Sequence, residues 1–263
     1  MIKSYTNKVI IVDKPFLTKL EYLSETEYQK FINPDIDTQV VTLPLDDEKI
    51  SELVEYIDPS DIKSGTILVK PSYSNNFSTI DGFSEGVVLE KFGLFVRLCI
   101  ALGAKEVSVN SVEGIAIKNN TDTIIKCEID AESPVASGRA DFNSNNSSDI
   151  EDIKNSVMSL NANAQGGEPN LEEASRIMTE YGLKKDILFS NIYNMRRIST
   201  NPLVSHDLVL DFSNDFERTF DSSLSASINA MSLIYKGSAS FELAKKSFEK
   251  VKSATKLKVT VVF

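Results

Sequence analysis

Apolar and polar positions along the chain change period several times, and each change marks an element. Val9, Ile10, Ile11 and Val12 form an unbroken apolar run of strand length, closed by Asp13 and Pro15, which predicts a short buried strand. Ser24-Glu25-Thr26-Glu27 has the capping-box pattern and opens a helix that Asn33-Pro34 stops. Gln39 to Leu43 predicts a second strand. Ile50, Leu53, Val54 and Ile57 then recur at helical spacing up to Pro59, and Thr66 to Val69 returns to a strand-like run. Tyr73 to Gly86 is polar and turn-rich. After it, Val88, Phe92, Phe95, Cys99 and Leu102 step by four and three, predicting a long helix with Gly103 as its C-cap.

Glu106–Val109, Val112–Lys118 and Thr123–Ile129 predict a strand pair or meander, with a bulge near Ser111 and a turn at Asn119-Asn120. A helix resumes at Asp149 with Ile150, Ile153, Val157 and Leu160 on one face. Asn161 to Pro169, containing Gly166-Gly167, reads as a linker or mobile loop. Asn170 caps a helix ended by Gly182, and another covers Asp186 to Ile198. Leu224, Ala226, Ile228 and Ala230 alternate with Ser225, Ser227 and Asn229, the pattern of a half-buried strand. Phe241, Ala244, Phe248 and Val251 then predict a helix, and Leu257, Val259 and Val261 a final strand. The expected fold class is α+β: a mixed sheet, several amphipathic helices and a C-terminal β-α-β unit with parallel strands. The expected organisation is an α+β part over 1–142, a polar connecting region over 143–169 with a short helix, and helices followed by β-α-β over 170–263. Together these could equally form one continuous domain.

Composition narrows the function classes. The 263 residues are 41% hydrophobic and 25% charged, ordinary globular proportions. Against 28 Lys and Arg stand 38 Asp and Glu, a net charge of −10, which opposes general nucleic-acid binding unless a basic patch overrides it. The basic clusters are only the pairs Lys184-Lys185 and Arg196-Arg197, and lysines interleaved with Glu near Lys245-Lys246. No apolar run approaches the roughly 18 residues of a membrane-spanning helix, and the first residues carry no secretory pattern. Cytoplasmic localisation follows as the expectation, with Cys99 and Cys127 as reduced thiols. The Asn, Lys, Ile and Ser content suits a bacterial or phage origin.

Catalytic sets are poorly supplied. One His, His206, would have to serve any Ser/His or Cys/His mechanism, and no nucleophile elbow, zinc motif or phosphate loop is present. Asp141, Asn143, Asn145, Asp149 and Asp152 fall at positions 1, 3, 5, 9 and 12 of a calcium-binding loop. Calcium is the cofactor such a loop would hold. It departs from the pattern at Asn146, where Gly is usual, at Asp152, where Glu is usual, and in lacking an incoming helix. The acidic clusters Asp46-Asp47-Glu48, Asp149-Glu151-Asp152 and Asp211/Asp215/Glu217 sit near helix starts, where negative charge favours the helix dipole.

The resulting expectation is a non-catalytic protein that acts by binding another protein with a basic face, as an accessory, sensor or inhibitor component. Tyr73, Phe77, Arg196 and Arg197 are the expected contact residues, on loops read as exposed. Two alternatives stand beside it. The alternating stretches Glu106–Lys118, Thr121–Phe142 and Ser222–Tyr235 are long enough to refold into a membrane β-pore, whose strands need about 9–11 residues. An enzyme with a metal held by one of the acidic clusters is the other.

Overall fold

In a computed structural model, the structure describes residues 5–23, 25–118, 121–127, 153–198, 200–235 and 253–263, with the helical positions 241, 242, 245 and 248. The chain is α+β. It forms two compact units, each assembled from two separated stretches: 1–87 with 214–251, and 88–213 with 252–263. The boundaries expected at 142 and 143 fall outside the described residues.

The first unit carries a mixed four-stranded sheet in the order β2-β1-β3-β4. Its strands are β1 (Lys8–Asp13), β2 (Thr38–Leu43), β3 (Thr66–Val69) and β4 (Ser78–Thr79). β1 and β2 run parallel, from Lys8 opposite Thr38 to Asp13 opposite Leu43, while β3 is antiparallel to β1. Both faces of β1 are covered, as its unbroken apolar run requires. Val9 and Ile11 pack with Val41, Leu53, Ile57, Leu68 and Phe77, so Ile10 and Val12 face the opposite side.

The parallel crossover is made by α1 (Lys14–Leu23) and α2 (Glu25–Ile32). α1 begins directly at Lys14, with Pro15 in its first turn, where a missing N–H costs nothing. Pro15 therefore starts a helix as well as ending the strand. α3 (Asp47–Leu53) is shorter than its apolar spacing suggests and stops at Val54. The helix α4 (Ile80–Ala101) begins within the stretch expected to be turns. Ile80, Phe83 and Val87 are buried and extend the apolar stripe backward through Gly82 and Gly86.

The second unit carries an antiparallel sheet in the order β6-β5-β9-β8, with β7 on β5. The strands are β5 (Glu106–Lys118), β6 (Thr121–Cys127), β7 (Ala162–Asn163), β8 (Ser205–Asp211) and β9 (Ser253–Val262). β5 shifts register against β9 between Val109 and Ser111, where the bulge was expected. One face buries Val107, Val109, Leu210, Leu257, Val259 and Val261. The other is a polar ladder: Lys256 pairs with Asp211 at 2.8 Å, Lys258 with Glu113 at 2.8 Å, and Thr260 donates to Asp207 at 2.5 Å. Residues 153–158 are helical (α5), followed by α6 (Leu171–Glu180) and α7 (Ile187–Arg196). Asn170 caps α6 by accepting from the Glu173 N–H at 3.0 Å. The stretch 161–169 is not a free linker. It contributes β7, and the Gly167 N–H donates to the Gly103 carbonyl.

Between β8 and β9 in the chain come α8 (Ser213–Thr219), α9 (Ser222–Ile234) and the helical positions 241, 242, 245 and 248. The strand expected over Leu224–Ala230 is α9, and β8 and β9 pair antiparallel. The first strand of the expected C-terminal β-α-β unit is therefore a helix, and the strand that pairs with β9 from earlier in the chain, β8, does so antiparallel. Asp221 caps α9 through the Leu224 N–H, and Leu224, Ile228 and Met231 are its buried stripe.

Candidate functional site

β1 and β2 run parallel, so their carboxyl ends fall at the same end of the sheet. Here β1 ends at Asp13 and β2 at Leu43, side by side. The chain then leaves β2 through a cis Leu43–Pro44 bond and turns into α3. A groove of about 600 Å³ opens at this position, walled by Pro15, Leu43, Pro44, Leu45, Ile50 and Ile62, with Asp13 and Lys14 as its charged lining. Leu43, Leu45 and Ile62 are partly buried and pack on the core beneath β1 and β2. Ile50, on α3, is 39% exposed, and Val54, one turn on, is 41% exposed. The hydrophobic core therefore continues outward into an apolar surface.

Asp13 is fixed in place. Its Oδ1 accepts the Phe16 N–H at 2.8 Å, which makes it the cap of α1, and its Oδ2 accepts the Ser64 hydroxyl at 2.9 Å. Ser64 Oγ lies 2.5 Å from Tyr235 Oη, and the Asp13 N–H reaches the same phenol oxygen at 3.4 Å. A carboxylate accepts only, so the Ser64 proton points to Asp13 and the short contact uses the Tyr235 proton. The chain of donors runs Tyr235 to Ser64 to Asp13. Burial pushes the Tyr235 phenol above its ordinary pKa of 10.0, against the lowering effect of Ser64, which keeps it a donor. Its ring stacks on Phe16 at 5.1 Å and packs over Gly65, whose φ of +86° suits glycine.

A second charged cluster lies at the opposite end of β1. Lys8 is fully buried and pairs with Asp37 at 3.1 Å and with Asp221. Both carboxylates share the one ammonium, which leaves the cluster net negative, and Asp221 is also occupied as the α9 cap. Among the described residues no group of three His, Cys, Asp or Glu side chains could hold a metal ion.

Asp141, Asn143, Asn145, Asp149 and Asp152 lie outside the described residues. Tyr73 and Phe77, expected to be exposed, are each 7% exposed. Tyr73 donates to the Val87 carbonyl at 3.4 Å, and Phe77 belongs to the core under the sheet. Arg196 donates to the carbonyls of Leu102, Leu203 and Gly167, and its guanidinium stacks on Phe263 at 4.6 Å, so it works as an internal clamp. Arg197 is exposed at the C-cap of α7. Asp46 is the α3 cap, and its hydrogen bonds from Lys49 hold the carboxyl below its ordinary value of 3.8. His206 sits on β8, partly exposed.

The residues that sequence reasoning missed are Asp13, Ser64 and Tyr235 and the apolar walls. Asp13 followed by Lys-Pro carried a readable helix-start signal, but Ser64 is 51 residues away and Tyr235 is 222 away. Nothing local links them. No family model, curated protein or solved structure matches this chain.

Proposed function

We propose that this chain is a non-catalytic, cytoplasmic binding protein, and that its docking surface is the apolar groove at the carboxyl ends of β1 and β2. The partner is a protein segment with apolar side chains for the walls and a basic flank. The observation that carries the reading is the continuity of the groove with the core: Leu43, Leu45 and Ile62 belong to both, and Ile50 extends the same surface into solvent. Apolar surface open to water in this way marks interaction sites more often than isolated exposed side chains do.

Charge supports the basic flank. The three segments that line the groove carry Asp13, Asp46, Asp47, Glu48 and Asp61 against Lys14, Lys49 and Lys63, and Lys49 is already paired with Asp46. No helix among the described residues is long and apolar enough to cross a membrane.

The test is selection from a random-peptide display library on the purified chain, repeated on Ile50→Asp. Ile50 is exposed, so its replacement leaves the core intact. The reading predicts enriched sequences that combine apolar residues with Lys or Arg and lose binding to Ile50→Asp by about tenfold or more. Enriched peptides that bind both proteins equally would overturn it, as would no enrichment at all.

A further inference from the structure

We propose that Asp13 is the specificity-determining residue of the groove and selects a cationic group, a lysine or arginine side chain, on the docking segment. Ser64 and Tyr235 are its positioning residues. This deepens the docking reading and rests on it.

An ionised carboxylate offers about four acceptor sites. Two are used, by the Phe16 N–H on Oδ1 and by the Ser64 hydroxyl on Oδ2. Each oxygen keeps one, and Asp13 lines the groove. Both bonds come from neutral donors, so the charge itself is unmatched by them. Asp58 is likewise held by neutral donors, from Ser60, but it is Asp13 that lines the groove, and Asp13 differs there from the ion-paired carboxylates of this unit. Asp37 and Asp221 face Lys8, and Asp46 faces Lys49.

Orientation is the second leg. Ser64 is held by Tyr235, and Tyr235 by its stack on Phe16, which also supplies the N–H to Asp13. The carboxylate is therefore preorganised before any ligand arrives, which removes an ordering cost from binding. Lys14 lines the same groove, but it is exposed on a flexible stem and can move aside from an incoming cation. Asp13 cannot. The apolar walls and the fixed carboxylate then read one amphipathic feature: a basic side chain next to apolar ones.

The experiment uses peptides recovered from the display selection, each synthesised with its Lys or Arg retained, replaced by norleucine, or replaced by Glu, and titrated by fluorescence anisotropy. On the native chain, norleucine should weaken binding about tenfold, the scale of a hydrogen bond to a charged group. On Asp13→Asn, which preserves the cap on α1, the lysine and norleucine peptides should bind alike. Tyr235→Phe removes only the phenol oxygen; it should loosen the lysine peptide by about threefold and leave the norleucine peptide unchanged, an interaction that a general loss of stability would not produce. Equal binding of lysine and norleucine peptides to the native chain, with both lost on Ile50→Asp, would overturn the role of Asp13 and leave the groove standing. A preference for the Glu peptide would overturn it in favour of Lys14. Absence of any groove-dependent peptide would overturn the docking reading as well.

Discussion

The backbone oxygen of Gly167 lies 2.1 Å from where a β-carbon on Gly103 would stand, and the Gly167 N–H donates to the Gly103 carbonyl at 3.2 Å. Gly103 ends the α4 segment at φ +86°, so it needs glycine for its conformation and again for the approach of Gly167. Replacement by alanine strains the backbone and collides with a backbone atom that no rotamer change can move. Gly103→Ala should destabilise the chain by about 3 kcal/mol or more. Urea unfolding at the native midpoint would show that the contact is not essential.

Lys8 presents a different kind of constraint, a buried ammonium between Asp37 and Asp221, whose side chains are 28% and 34% exposed. Removing one member of a buried ion pair costs roughly 3–5 kcal/mol, because the opposite charge is left without compensation. Here the partial exposure of both carboxylates lets water take up part of that loss. Lys8→Ala should therefore cost about 3 kcal/mol, at the lower end of the range. Lys8→Met, which keeps the buried stem, should cost less. Equilibrium unfolding of the two variants checks the order.

Cys99 is free and fully buried, and burial alone pushes its thiol far above the ordinary 9.0. In a Cys127→Ser background it should not react with a thiol-specific reagent until the chain unfolds. The same shift has a sign in stability. The folded state keeps its proton where the unfolded thiol has lost it, so this contribution is complete below about pH 9 and declines as pH rises beyond it. Rapid labelling of the native protein at pH 8 would contradict the burial.

Asp211 gives the acid-side counterpart. Burial would raise its carboxyl, but the Lys256 ion pair and the Ser213 hydroxyl and N–H outweigh it and hold the pKa below 3.8. Its stabilising effect is present above about pH 4 and is lost as pH falls through the lowered value. Native protein and Asp211→Asn should therefore differ in denaturant midpoint at pH 6, and the difference should shrink as pH falls below about 4. A difference that stays constant across this range would exclude the linkage.

Strands and caps were the most legible parts of this chain. Val9–Val12, Thr66–Val69 and the bulge at Ser111 have one reading each, because their apolar positions fit one period and a turn residue bounds them. Leu224–Ala230 reads as a strand for a physical reason: Leu224 and Ile228 satisfy a period of two and a period of four equally. Asp221 as a cap and Met231 one further turn along decide for the helix. The start of α4 was hidden by Gly82 and Gly86, poor helix formers that its buried Ile80, Phe83 and Val87 override. The direction in which β8 and β9 pair is a matter of chain path between distant segments, which periodicity does not encode. The candidate site was least legible of all. It joins the end of β1, the end of β2, the turn before β3 and the residue after α9, and only the fold brings these together.

The most direct test of the docking account is chemical-shift mapping. With Ile and Leu methyl groups labelled, the chain is titrated with the tightest peptide from the display selection. The account predicts that shift changes concentrate on Leu43, Leu45, Ile50 and Ile62, and that they fade when the peptide's basic residue is replaced by norleucine. Shifts that leave these four methyl sets unmoved while others respond would contradict it.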